Sequence, residues 1–101
     1  MGLTDYGSLG IVLHFPDSTL TEKEYHHIIS ALKERGLSEP IGREYHIAYI
    51  GPDGSIKVLD VWDSKENLRK FVDQLMPVIE QFGYSPGEPR IFQVSNITIG
   101  A

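Results

Sequence analysis

The segment REYHIAYIGPDGSIKVLDVW, residues 43–62, decides the fold. Its centre, Gly51-Pro52-Asp53-Gly54, is a strong turn signal. Proline suits the first central position of a type I turn, and glycine suits the left-handed position that follows. Arg43–Ile50 and Ile56–Trp62 on either side read as strands, so the segment predicts a β-hairpin. A three-residue loop of Pro52, Asp53 and Gly54 pairs Gly51 with Ser55. Counting back from that pair sets Ile50 against Ile56, Ala48 against Val58 and His46 against Asp60. Directly opposed residues share one sheet face, with Cβ atoms about 4.5–5.5 Å apart.

Working outward, Ser8 to Phe15 is a short apolar run that ends at Pro16 and reads as a strand, with Asp17 and Ser18 marking a turn. Thr21 followed by Glu22, Lys23 and Glu24 is a capped helix start with acids in the first turn. Tyr25, Ile28, Ile29 and Leu32 then recur at helical spacing. Lys33 and Arg35 suit the helix C-terminus, and Gly36 stops it. Beyond the hairpin, Asp63 with Glu66 three residues on resembles a capping box. Leu68, Phe71, Val72, Leu75, Ile79 and Phe82 trace one face of a long helix, in which Pro77 predicts a kink or break. Gly83 is the stop, and Arg90 to Ile99 is the last strand. The order β-α-β-β-α-β is the ferredoxin-like split βαβ arrangement, an α+β fold. Right-handed crossovers order the strands 4-1-3-2, all antiparallel, with both helices on one face.

The length, 101 residues and 11.3 kDa, fits one domain spanning residues 1–101. Apolar residues make up 41% and charged residues 23%, a globular composition. The net charge of −5 argues against binding nucleic acid through phosphates. The absence of cysteine excludes a disulfide framework, a cysteine-ligated iron–sulfur or zinc site and a thiol nucleophile. Met1 to Tyr6 has no signal-peptide character, and no apolar run approaches the roughly 20 residues that span a bilayer. The expectation is a cytoplasmic protein with no membrane partner.

The strands are apolar on both faces. Ile11, Leu13 and Phe15 alternate with Val12 and His14. Tyr45, Ile47 and Tyr49 alternate with His46, Ala48 and Ile50, and Leu59 and Val61 alternate with Ile56, Val58 and Trp62. Two helices cover one face only. The other would leave an apolar patch above the few hundred Å² usual for a monomer. A homodimer through the open sheet face follows, since a standard interface buries about 800 Å² per subunit.

The segment Tyr45-His46-Ile47-Ala48, the turn at Gly51 to Gly54 and Asp60-Val61-Trp62-Asp63-Ser64 resemble the dimeric α/β-barrel superfamily. The resemblance is nearest to small bacterial members of uncharacterised activity with a His-x-Ala … Asp-Val-Trp-Glu-Ser signature. Phe71, the Leu75-Met76-Pro77 step, Gly83 and the final strand fit the same pattern. What this implies is a dimeric α/β barrel. Relatives include cofactor-independent monooxygenases of antibiotic biosynthesis, haem-degrading enzymes, lactone isomerases and effector-binding domains, so the resemblance does not choose a chemistry.

His46 and Asp60 are the best candidate catalytic pair. A carboxylate opposite an imidazole orients it and stabilises its cation, the geometry of a positioned general base. The bland alternative is a buried, satisfied polar pair. Trp62 follows on the same face as Asp60, and Tyr25 on the first helix is a candidate for the same space, as is His14 if it points toward the helices. These three are candidate substrate-binding walls, and each is also readable as packing. His26 and His27 are consecutive on a helix and do not share a face. The four histidines show no zinc-binding spacing, so neither a metal nor a cofactor is expected.

Three readings compete. One is an enzyme that abstracts a proton, with or without oxygen chemistry, from a small aromatic or enolisable substrate held between helices and sheet. Another is a non-catalytic small-molecule-binding or sensing dimer using the same pocket. The third is a structural dimer whose pocket side chains fill. RNA binding, suggested by the same element order, fails on the third strand, which carries one lysine and an aspartate where a basic, aromatic strand is needed.

Overall fold

The structure is a computed structural model that describes residues 10–97. The expectations for Ser8, Leu9 and Ile99 lie outside the described residues. The elements are β1 (Ile11–Leu20), α1 (Glu22–Glu34), β2 (Arg43–Ile50), β3 (Ile56–Trp62), α2 (Lys65–Phe82) and β4 (Arg90–Gln93). The four strands form one sheet in the order β2-β3-β1-β4, and every neighbouring pair is antiparallel. This is the ferredoxin-like order 4-1-3-2 read from the other edge.

The hairpin forms as its sequence dictates. Gly54 donates its N–H to the Gly51 carbonyl, Gly51 donates to Ser55, and Gly54 takes φ 83°, where a side chain would be strained. The register that follows pairs Ile50 with Ile56, Ala48 with Val58 and His46 with Asp60. On β1, Leu13 pairs with Asp60 and Phe15 with Val58. One sheet face therefore carries Leu13, Phe15, Ile56, Asp60 and Trp62. It packs on Ile28 and Leu32 of α1 and on Leu68, Phe71, Leu75, Val78 and Ile79 of α2 to make the core.

Helix α1 starts at the expected cap: Thr21 accepts from the Glu24 N–H, and the Glu24 carboxylate accepts from the Thr21 N–H. Helix α2 corrects the expected cap by one residue. Ser64, not Asp63, accepts from the Asn67 N–H, because the Asp63 N–H is still committed to the Gly42 carbonyl at the sheet end. Pro77 does not break α2, which runs on to Phe82. Pro77 and Asp73 are both exposed, so the carbonyl that loses its intrahelical donor faces water.

β1 also differs from expectation. It does not turn at Asp17 and Ser18 but continues to Leu20 through a bulge. Between the Phe15–Val58 and Leu20–Ile56 pairs, β1 advances five residues while β3 advances two. Pro16, lacking an N–H, suits such an interruption. The bulge is held from the hairpin: buried Lys57 donates through Nζ to the Ser18 carbonyl (2.6 Å), to Ser55 Oγ (2.8 Å) and to Asp53 Oδ2 (3.1 Å). β4 is shorter than the expected Arg90–Ile99 span. Its ladder with β1 ends at the Gln93–Ile11 pair, where β1 itself begins.

Candidate functional site

Between the sheet and α1 lies a cavity of about 60 Å³, lined mainly by apolar side chains from β1, α1 and α2. Its polar wall is made by Tyr25, Arg43, His46 and Asp60. Hairpin register brings His46 and Asp60 together, and the His46 Nδ1 to Asp60 Oδ1 distance is 2.6 Å. Asp60 is only 3% exposed. A carboxylate accepts and cannot donate, so Nδ1–H donates to Asp60 and leaves the Nε2 lone pair on the other side of the ring. That lone pair accepts the phenol O–H of Tyr25 at 2.6 Å. The two rings are nearly parallel, 8° apart.

The electrostatics agree with this direction of donation. Burial raises the Tyr25 phenol above its ordinary value, and the Asp60 charge raises it further, against a smaller opposing effect of Arg43. Tyr25 is therefore a protonated donor at neutral pH. The three side chains form a continuous chain of hydrogen bonds in which a carboxylate orients an imidazole and the imidazole receives a phenolic proton. This is the logic of an activated hydroxyl with base and orienting group.

Arg43 was not among the residues singled out from sequence. It opens β2 and lines the cavity, with its guanidinium 5.8 Å from the centre of the Phe71 ring. Nη2 donates to the Ser38 carbonyl at 2.9 Å. Among the described residues it makes no ion pair, so a cation with spare donors stands beside the relay. Arg43 and His46 also border an outer depression of about 360 Å³, whose rim includes Glu39 and Glu44. The sequence signal available for Arg43 was a lone basic residue at the head of the strand that carries His46.

The other two expected wall residues lie elsewhere. Trp62 is on the same sheet face as Asp60 but is 0% exposed and packs on Phe71 at 5.2 Å, away from the cavity lining. Its Nε1 has no hydrogen-bond partner among the described residues. His14 does not point toward the helices. It pairs with Leu59, on the open face, and its Nε2 lies 2.6 Å from the Tyr49 hydroxyl. Both placements correct the expectation of a shared pocket wall. Among the described residues no group of three His, Cys, Asp or Glu side chains is arranged to hold a metal. No helix of the described chain is long and apolar enough to cross a membrane.

No protein-family model and no curated protein matches the chain. Solved structures do. A conserved protein from Methanosarcina mazei Go1 aligns with a TM-score of 0.59 at 16% identity, over 89% of this chain and 95% of that one. The ActVA-Orf6 monooxygenase of Streptomyces coelicolor, solved with nanaomycin D, aligns with a TM-score of 0.57 at 16% identity, over 92% of each chain. The fold is shared. This chain shares its ferredoxin-like architecture with both, and identity at this level establishes architecture alone.

Proposed function

We propose that the cavity, opened into the outer depression that shares Arg43 and His46 with it, is a proton-transfer site for a small, weakly acidic, apolar molecule. The observation that carries this reading is the Tyr25–His46–Asp60 chain inside an apolar cavity. A substrate C–H or O–H placed against the Tyr25 oxygen loses its proton to that oxygen as the phenolic proton passes to His46 Nε2. Asp60 stabilises the imidazolium, and Arg43 stabilises the substrate anion. Two fates balance. The anion is reprotonated from His46 at another atom, giving an isomer. Alternatively it gives two electrons to dioxygen, forms a C–O bond and takes the proton as a hydroperoxide, which loses water to a carbonyl. The shared architecture with a monooxygenase that binds nanaomycin D supports the second fate. The rim acids Glu39 and Glu44, together with Asp60, oppose a substrate that arrives already anionic, so the anion forms in place.

The test uses three probes: 2,4-pentanedione, followed by deuterium exchange; 1,4-dihydroxynaphthalene, followed by dioxygen uptake above its uncatalysed rate; and nanaomycin D, followed by calorimetric binding. Exchange or uptake that falls by about 10²–10⁴ in His46→Ala supports the proposal. Saturable binding with no exchange and no uptake overturns catalysis in favour of a binding module.

We propose further that the chain pairs with a second copy through the open sheet face. That face carries Ile47 at 51% exposed and Phe92 at 52%, with Tyr45 and Tyr49 also exposed and Val12 and Leu59 half-buried between them. The residues come from all four strands, and the helices cannot reach them. A second copy brings an identical apolar surface, as an isologous interface requires.

A further inference from the structure

We infer that His14 makes the pairing of the open sheet faces sensitive to pH, so that protonation releases the two copies. The inference rests on the proposed homodimer and adds its regulation.

His14 stands on β1, an inner strand, so its side chain lies within the open face and not at its rim. Its ring reaches across β3 to β2, where Nε2 meets the Tyr49 hydroxyl at 2.6 Å with ring centres 6.0 Å apart. β1 pairs His14 with Leu59 on one side and Arg90 on the other. Lys57 lies two residues from Leu59 on the same face and opposite Tyr49. The side chains around His14 on this face are therefore Tyr49, Leu59, and Arg90 and Lys57 together with the carboxylates that hold them, Asp17 and Asp53. The helices lie on the other face of the sheet and supply none.

Neither cation has a carboxylate to spare for His14. Arg90 is paired with Asp17 at 3.3 Å and Lys57 with Asp53 at 3.1 Å. Among the described residues no carboxylate pairs with His14. A proton added there creates a cation with no carboxylate of its own, on a face that must lose its water to pair. Desolvation disfavours the charged form of a buried imidazole, and no free opposite charge offsets it. Neutral His14 has no such conflict, because one hydrogen bond to Tyr49 satisfies Nε2. An isologous interface contains the residue twice, so each pairing excludes two protons. Imidazoles titrate in the range pH 5–8, where this linkage acts. Association is full at the alkaline end and is lost as pH falls.

Sedimentation equilibrium of the full chain at pH 8.0 and pH 5.5, with circular dichroism at each pH, tests this. The dimer dissociation constant is expected to rise about 10- to 1000-fold at pH 5.5 with the fold intact, because two protons are linked to dissociation. His14→Gln is expected to dimerise equally at both pH values, while His46→Gln keeps the wild-type dependence. In the wild-type chain, the NMR titration midpoint of the His14 ring is expected to fall as protein concentration rises; this readout needs no variant. A dimer of equal affinity at both pH values, or a midpoint independent of concentration, overturns the inference and leaves the dimer. Acid release that persists in His14→Gln overturns the role of His14. A monomer at both pH values at 100 µM, a concentration chosen at about the scale of a weak micromolar association, overturns the dimer itself.

Discussion

At the scale of single residues, the hydrogen-bond chain is an interplay of one local and one distant placement. His46 and Asp60 meet because a three-residue loop fixes the register of one hairpin, and that was countable in the sequence. Tyr25 meets them from a helix 21 residues upstream of His46. No spacing rule encodes the rotation of α1 over the sheet, so sequence left Tyr25 as a wall residue and not as the end of the relay. His14 was undecided for a related reason: β1 meets β3 across a helix and a whole strand, and that register cannot be counted from a turn. The raised Tyr25 value carries a prediction with a definite sign. The folded protein holds the phenolic proton more tightly than the unfolded chain does. The resulting stability is full below the ordinary tyrosine range, near pH 10, and is lost as pH rises through the raised folded value. Urea midpoints measured from pH 8 to pH 11 should fall more steeply in the wild type than in Tyr25→Phe. Equal slopes in the two proteins would show that the buried phenol is not held as described.

At the scale of elements, local chemistry was legible wherever it was self-contained. The α1 capping box could be read because donor and acceptor lie three residues apart. Removing its hydroxyl in Thr21→Ala should cost about 1 kcal/mol in denaturant unfolding. A loss below a few tenths would mean that tertiary packing alone holds the first turn. The α2 cap is not legible to the residue because the Asp63 N–H is claimed by Gly42, in the turn before β2 and 21 residues away. The β1 bulge was missed because its support comes from Lys57, distant in sequence. That support makes the hairpin acid-sensitive. Hydrogen bonds from the Ser55 side chain and backbone, then from Lys57, hold the Asp53 carboxyl down to about 2. A depressed carboxylate stabilises the fold above its unfolded value and ceases to do so as pH falls through the folded one. Asp53→Asn should therefore flatten the loss of thermal stability between about pH 4 and pH 2. An unchanged acid limb would remove Asp53 from the account of how the hairpin tip is held.

At the scale of the whole molecule, one sheet serves two purposes through its two faces. Period-two alternation makes the division legible in sequence, and only the occupant of the second face stays outside it. β2 lies at the sheet edge, bonded to β3 alone, and it carries Arg43 and His46 toward the cavity and Tyr45, Ile47 and Tyr49 toward the open face. Pairing of two copies would press on the outward row and so restrain the strand that positions the inward one. Ile47→Asp separates these effects. Ile47 is half exposed in the single chain, so the substitution leaves the core intact, and circular dichroism and thermal unfolding of the monomer should match those of the wild type at low concentration. In the dimer the same change buries two carboxylates against an apolar surface, and association should weaken by at least about 100-fold, the consequence of burying unpaired charge. Nanaomycin D binding, where present in the wild type, should weaken in the monomeric variant because β2 is then held from one side only. A monomeric Ile47→Asp that binds the probe with wild-type affinity would mean that the two faces are independent. An Ile47→Asp that still dimerises would move the interface off this sheet.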